Sequence, residues 1–207
     1  MLDTLAKLGC ELVEIACGNW SRAPHINLDE MLSSEQARKT FMEAIESRGL
    51  KLEALNCSGN QLAPNEEDRQ HQEVVEKTFR LAGLLGVKKI VMMSGCPGGS
   101  PTDSTPNWII TSWPPIATKI LNWQWEEVLI PYRKKTVELA RANGIEKIAL
   151  GHGHDVCWWK KFLSVLSMEG YDGPISQEME DLTMPALTGV KKSTDVLKEA
   201  MPCDYDV

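Results

Sequence analysis

Hydrophobic positions along the chain alternate between a helical period and short apolar runs. Each helical stretch ends near a glycine, and a mostly apolar run then follows. Repeated helix–glycine–strand units predict a parallel sheet covered by helices, which is an α/β fold. The predicted strands are residues 11–16, 51–57, 88–95, 147–150 and 174–179.

The predicted helices each carry an apolar face at three- and four-residue spacing. Ser33 and Gln36 form a capping box at the start of the second helix, and Asn65 begins the third. Pro131 predicts a bend within the fourth helix. The helices cover residues 2–8, 33–45, 65–85, 116–143, 158–166 and 190–201.

Every predicted strand runs into a polar segment. Because the carboxyl ends of parallel strands meet at one edge of a sheet, these segments are expected to form the functional edge of the molecule. They are CGN at 17–19, NCSGN at 56–60, SGCPGG at 94–99, GHGHD at 151–155 and EMED at 178–181.

Composition narrows the class of protein. The 207 residues, 43% of them hydrophobic, predict a single domain over 1–207 with a real core. A net charge of −7 argues against nucleic-acid binding, which needs a basic surface. The start MLDTLAKLG and the absence of a long apolar run predict neither a secretory signal nor a membrane span. Six cysteines without a CxxC pair indicate reduced thiols in the cytoplasm.

Glu178 and Glu180 close the last predicted strand. Residues two apart on a strand point to the same side, so both carboxylates can reach one pocket. They are the best candidates for functional carboxylates. The alternative is a pair of solvated charges at a strand terminus.

His152, His154 and Asp155 follow the fourth predicted strand as HGHD. Some metallohydrolases use this spacing for divalent metals. The alternative is a glycine-flanked turn in which Asp155 caps a helix and backbone N–H groups hold a phosphate.

Four further candidates lie earlier in the chain, three of them in the NCSGN segment at 56–60 and the fourth, His25, after the first predicted strand. Asn56, Ser58 and Asn60 can donate hydrogen bonds to sugar hydroxyls, although Asn, Ser and Gly also serve ordinary turn chemistry. His25 either touches substrate or is an exposed loop histidine.

The loop from Gly95 to Pro115 contains Trp108 and Trp113. A loop of this length is usually functional or disordered, and its aromatic content argues against disorder. It predicts a lid or a wall for a sugar face, or alternatively an oligomer contact or packed Ω-loop.

Several motifs together resemble the sugar phosphate isomerase/epimerase family of the xylose isomerase-like TIM barrels. They are GNWSRAPHINLDE, ALNCSGNQLAP, MSGCPGGSPTDSTPNWIITSWPP, WQWEEVLIPYR and GYDGPISQEMED. The resemblance implies metal-assisted proton transfer on a small sugar or sugar phosphate, with Mn²⁺, Zn²⁺ or Mg²⁺ as cofactor. It implies that Glu178 is a metal ligand and proton carrier. The residues expected around the substrate are His25, Asn56, Asn60, Trp108, Trp113, His152 and His154.

The chain also departs from the family pattern. Gly151 stands where the family has a metal-binding Glu, and the units that supply its Asp and His ligands are missing between 150 and 151. A strand before the first helix is missing as well. The resemblance therefore implies a shortened barrel with about five of the eight strands.

Two other functions remain open at this point. One is an inactive remnant that binds a sugar or a partner, or that pairs with itself through unpaired sheet edges. The other is a metallohydrolase using His152 and His154.

Overall fold

A computed structural model describes residues 1–111, 113–145, 147–149, 156–171, 173–175 and 185–201. The predicted α/β class is confirmed. The elements, in chain order, are α1 (Leu2–Lys7), β1 (Leu12–Ala16), α2 (Leu28–Ser33), α3 (Glu35–Glu46), β2 (Lys51–Asn56), α4 (Glu66–Leu85), β3 (Lys89–Val91), α5 (Pro115–Trp123), a π-helical turn (Gln124–Leu129), α6 (Ile130–Ala142), β4 (Lys147–Ala149), α7 (Val156–Met168) and α8 (Ala186–Ala200).

The larger of two compact units covers Val13–Leu150 and contains the sheet. The strand order is β1-β2-β3-β4, so each strand lies beside the one that follows it in the chain. β2 pairs in parallel with β3, with Leu55 opposite Ile90, and β3 pairs in parallel with β4. Parallel neighbours joined through helices are the arrangement that the alternating pattern predicts.

Four of the five predicted strands lie among the described residues, and each is found. β3 is shorter than predicted, since Met92 to Gly95 leave the sheet and begin the following loop. The predicted strand at 174–179 lies almost entirely outside the described residues.

The helix boundaries follow from local capping. The side chain of Asn65 accepts a hydrogen bond from Glu67 N, and Gly86 ends α4 in a left-handed conformation with φ of 71°. The prediction for α3 is wrong by one residue: its N-cap is Ser34, whose Oγ accepts from Ala37 N at 3.1 Å. Ser33 instead ends the short helix α2, where its hydroxyl donates to Asp29 O at 2.7 Å.

The long predicted helix over 116–143 is interrupted ahead of Pro131. α5 ends at Trp123, the backbone widens into the π-helical turn Gln124–Leu129, and α6 resumes at Ile130. Pro131 lacks an N–H donor, so the irregularity falls in the turn that would otherwise need its hydrogen bond.

The core of this unit lies between α3, α4 and the sheet. Leu55 and Ile90, which are register partners on β2 and β3, are both fully buried. Phe79 and Leu81 on α4 are fully buried as well, and Ile45 contributes from α3. The burial of these side chains fixes α4 along the sheet and so sets the position of the loop that precedes it.

The second compact unit consists of Met1–Leu12 and Gly151–Val207. Within it, α7 packs on α8, Lys160 lies 3.3 Å from Glu199, and Lys198 Nζ donates to Leu8 O at 3.1 Å. The interpretation of residues 1–207 as one domain stays a prediction. None of the described helices combines the length and hydropathy that crossing a lipid bilayer requires.

Replacing Phe79 with alanine should lower the free energy of unfolding by about 3–5 kcal/mol, because a fully buried ring leaves a cavity. Leu84→Ala is the matched control on the same helix: its side chain is 54% exposed, and its effect should stay within about 0.5 kcal/mol. Equilibrium denaturation by urea measures both. Equal losses for the two variants would contradict this assignment of the core.

Candidate functional site

Polar side chains gather where β1 and β2 end. We call Glu14, Asn19, Asn56, Ser58 and Asn60 the polar edge. Cys17 N donates to Asn56 O at 2.7 Å, and Cys57 N donates to Val91 O at 2.9 Å, so the three strand ends are joined by backbone hydrogen bonds. The strand-end segments at 17–19, 56–60 and 94–99 therefore lie together, as their sequence position predicts.

Glu14 and Asn56 form the pair at the centre of the polar edge. Val13 and Ile15 are buried on one face of β1, and Glu14 is exposed on the opposite face. Asn56 Nδ2 donates to Glu14 Oε1 at 2.7 Å, while Asn56 Oδ1 accepts from Ser58 N at 2.8 Å. An acid within a parallel strand is unusual, because such strands are normally apolar on both faces.

Asn60 ties the loop after β2 to the loop after β3. Its Nδ2 donates to Cys96 O at 2.9 Å, and its Oδ1 accepts from Cys96 N at 2.8 Å and from Leu62 N at 3.2 Å. The side chain is 2% exposed. In this structure its carboxamide makes hydrogen bonds to backbone groups, and the predicted contact with substrate stays a prediction.

His71 and Asn19 both make hydrogen bonds to the backbone of the loop after β2. Asn60 N donates to His71 Nδ1 at 2.9 Å, so this nitrogen is an acceptor and the ring proton lies on Nε2. Asn19 Nδ2 donates to Cys57 O at 2.8 Å. Gly59 is packed between the two side chains: a Cβ there would come within 2.7 Å of Asn19 Cβ and 2.9 Å of His71 Nδ1. Only glycine fits this position without a shift of its neighbours.

The loop after β1 contains two consecutive residues with positive φ. Gly18 has φ of 147° and Asn19 has φ of 62°. Asparagine tolerates the left-handed region better than most side chains, yet the conformation still costs free energy. Asn19 Oδ1 is buried and accepts no hydrogen bond from the described residues. Strained backbone conformations of this kind are concentrated at functional sites.

The thiols near the polar edge are poor nucleophiles. Burial raises the pKa of Cys17 to about 12. Burial also raises the pKa of Cys57 above its usual range, an effect that nearby Cys17 increases and Arg133 opposes. Burial raises the pKa of Cys96 as well. These thiols stay protonated at neutral pH, which argues against covalent catalysis through them.

The loop over 95–115 has two parts. Up to Asn107 it is tightly organised, because Gln124 Nε2 donates to the carbonyl oxygens of Pro97, Gly98 and Asn107 at 3.3, 3.0 and 2.8 Å. Asp103 accepts from Gly99 N at 2.6 Å. This first part has the internal bonding of a packed Ω-loop.

The second part of that loop exposes its large apolar side chains. Trp108 is 59% exposed, Ile110 is 93% exposed and Trp113 is 74% exposed. His25 is also exposed. The roles predicted for His25, Trp108 and Trp113 at a substrate stay predictions.

The remaining candidate residues lie outside the described part of the chain. They are Glu178, Glu180, His152, His154 and Asp155. Among the residues that the structure does describe, no three His, Cys, Asp or Glu side chains lie close enough together to hold a metal ion. The predicted ligand Glu178 is not among the described residues, so the divalent metal that the family resemblance implies stays a prediction.

A cavity of about 430 Å³ lies between α4 and α6, in the helix layer. Gln61, Asp68 and Tyr132 line it, whereas Glu14, Asn56 and Ser58 do not. Burial raises the pKa of Asp68, which hydrogen bonding from Gln72 opposes. We take the polar edge as the candidate site, since it lies at the carboxyl ends of the strands.

Sequence reasoning missed Glu14, Asn19 and His71. A usable signal existed for Glu14, because ELVEIA puts an acid inside a strand whose neighbours on both sides are apolar. No comparable signal existed for His71, whose contact with Asn60 depends on how α4 docks on the sheet.

Comparison with curated proteins shows the family. The chain is 37% identical to the "Uncharacterized protein YfiH" of Bacillus subtilis (strain 168), and the match covers 97% of this chain and 94% of that protein. The chain belongs to the same family as YfiH. No protein-family model matches the sequence.

Comparison with solved structures shows the fold. A D-psicose 3-epimerase from Clostridium cellulolyticum H10, solved with D-tagatose, matches with a TM-score of 0.53 at 11% identity, over 98% of this chain and 93% of that one. The predicted TIM-barrel type is thereby confirmed. A xylose isomerase domain protein from Planctomyces limnophilus matches with a TM-score of 0.44 at 12% identity, over 84% of this chain, and this chain spans about half (55%) of its length.

Replacing Asn60 with alanine should lower the free energy of unfolding by about 2–4 kcal/mol, because two N–H groups and one carbonyl lose their buried partner. Ser58→Ala is the control, since its backbone N–H makes the contact with Asn56 and survives the change. Thermal and urea unfolding of both variants give the comparison. An Asn60→Ala protein as stable as the parent would show that the two loops are not held by this side chain.

Proposed function

We propose that this protein is a sugar isomerase/epimerase-like protein that binds a small carbohydrate, free or phosphorylated, at the polar edge. The proposal rests on the Glu14–Asn56 pair, in which Asn56 Nδ2 donates a hydrogen bond to Glu14 Oε1 at 2.7 Å. Carboxylate and carboxamide groups at the carboxyl ends of parallel strands are suited to hydroxyl groups. The fold shared with an epimerase of ketoses supports this ligand class.

A more specific proposal is metal-assisted proton transfer, in which Glu178 binds the metal and carries the proton. It rests on the family resemblance of GYDGPISQEMED. In this more specific proposal, the residues that contact the substrate are His25, Asn60, Trp108, Trp113, His152 and His154.

The second candidate is a sugar- or partner-binding remnant without catalysis. It rests on the departures from the family pattern, in which Gly151 stands where a metal-binding Glu is expected. In this proposal the missing units follow residue 150, where the family pattern expects further metal ligands. Nothing in the described residues favours the metallohydrolase over these two.

Sugar binding should depend on Glu14. Saturation-transfer NMR with D-tagatose, D-psicose and a ketohexose phosphate should give signals from the parent protein. Glu14→Ala should weaken binding by about tenfold or more, which is the loss of a charge-assisted hydrogen bond. Glu46→Ala, which removes an exposed acid from α3, should leave the signals unchanged. No signal from any of these sugars, or equal loss in both variants, would refute the binding proposal.

Proton transfer should be visible as solvent exchange. With a bound ketose in D₂O and added Mn²⁺, the catalytic form of the proposal expects deuterium at the carbon beside the carbonyl. Glu178→Gln should abolish that incorporation while sugar binding persists. Binding without any exchange in the parent protein would reject the catalytic form and leave the binding remnant.

A further inference from the structure

The cavity between α4 and α6, which we call the α4–α6 cavity, is built by one unit of the chain. Its volume is about 430 Å³, which is within the usual range for small-molecule sites. All of its lining residues lie between 61 and 139. The walls therefore belong entirely to the unit Val13–Leu150, wherever the second unit lies.

The charged side chains around the α4–α6 cavity are mostly acidic. Asp68, Glu76 and Glu127 line it, against one basic residue, Lys135. None of the three acids forms an ion pair with another residue that the structure describes. Two negative charges around the cavity are thus left uncompensated. Unpaired carboxylates in one concave site attract a cation and repel an anion.

Asp68 is the carboxylate for which a positive partner matters most. Burial raises its pKa above the usual range, although a hydrogen bond from Gln72 and the nearby Arg69 and His71 oppose the shift. Gln72 Nε2 donates to Asp68 Oδ1. A carboxylate that loses water on burial without gaining a counter-charge is stabilised by a cation that binds beside it.

Gln61 adds a hydrogen-bond acceptor that no described residue uses. Its side chain is fully buried, its Nε2 donates to Met93 O at 3.3 Å, and its Oε1 accepts no hydrogen bond from the described part of the chain. Gln72 Nε2 donates both to Gln61 O and to Asp68 Oδ1, so Gln61 and Asp68 lie at the same end of the cavity. A buried acceptor without a partner costs free energy that an N–H donor on a ligand would recover.

The same residues favour an organic cation over a metal ion. Within the described ranges, no three Asp, Glu, His or Cys side chains lie close enough together to hold a metal, so the three acids of the cavity do not converge on one point. The wall between them is apolar and consists of Leu62, Val75, Val128 and Leu139. Separated carboxylates with an apolar wall between them match a hydrocarbon chain that carries its positive charges apart.

We propose that the α4–α6 cavity binds a small aliphatic diamine. Asp68 and Glu76 are eight residues apart on α4, which is about 12 Å along the helix axis. One ammonium group of the ligand lies beside Asp68 and Gln61, and the other lies toward Glu76. The chain between them packs against Val75, and Glu127 faces the ligand from the π-helical turn before α6. The two ammonium groups balance the two uncompensated charges.

Putrescine is the probe for this site, and isothermal titration calorimetry measures its binding. The parent protein should bind one equivalent. Asp68→Asn should weaken binding by about tenfold or more, because it removes a charge-assisted hydrogen bond while keeping an oxygen that can accept from Gln72. Glu46→Gln is the matched control, since it removes the same charge from an exposed site on α3. Equal weakening in both variants would reveal only a general attraction to a protein of net charge −7 and would overturn the proposal.

A ligand series tests the chemical class. Butylamine, which has one ammonium group, should bind about tenfold more weakly than putrescine, and butanol and succinate should not bind. Mg²⁺ at matched ionic strength should not displace putrescine. Displacement by Mg²⁺, or equal binding of butanol and putrescine, would contradict a diamine site.

Leu139→Trp tests the position of the ligand without changing any charge. The larger ring fills the apolar wall and should abolish putrescine binding. Val137→Trp, at a 39% exposed position of α6 that does not line the cavity, should bind as the parent does. Circular dichroism and melting check that each variant folds, and saturating putrescine should raise the melting temperature of the parent. A parent protein that does not bind putrescine, or a folded Leu139→Trp protein that binds it as tightly as the parent, would overturn the proposal.

Discussion

The geometry of the candidate site depends on the carboxamide of Asn60. Two hydrogen bonds between this side chain and the backbone of Cys96 fasten the loop after β2 to the loop after β3, and a third, accepted from Leu62 N, holds the first loop itself. Its backbone N–H, in turn, is held by His71 on α4. A helix, two strands and two loops therefore share one buried residue. Without it, Asn56 and Glu14 would still belong to their strands, but the loops around them would have no common anchor.

The parts of the fold that sequence reasoning predicted are those determined by local physics. Strand positions followed from the glycines and the short apolar runs, and α4 was predicted to begin at Asn65, which is its N-cap in the structure. The cap of α3 was misassigned because Ser33 and Ser34 are adjacent and either can satisfy a capping pattern. The end of β3 was overestimated because apolar Met92 and Met93 read as strand although the chain has already left the sheet.

The parts of the candidate site that sequence reasoning missed depend on contacts between distant segments. Asn56 and Asn60 were predicted as candidates because strand ends can be recognised from one stretch of sequence. Their partners could not be: Glu14 reaches Asn56 through the pairing of two strands, and His71 reaches Asn60 through helix docking. The direction of a carboxamide is also invisible in a sequence. Asn60 and Asn56 look alike there, yet one bonds loops together and the other meets an exposed carboxylate.

The π-helical turn at Gln124–Leu129 has a consequence for how the chain can vary. A π turn holds one residue more than an α turn, so it accommodates an extra residue without changing the rotational phase of the helices on either side. In a regular helix of 3.6 residues per turn, one residue more or less rotates one end against the other by about 100°. Gln124 could then not reach three loop carbonyls while Thr136 stays buried. A deletion of one residue within the π-helical turn is therefore expected to keep α6 in phase with the loop that it supports, whereas a deletion within α6 ahead of Thr136 is not.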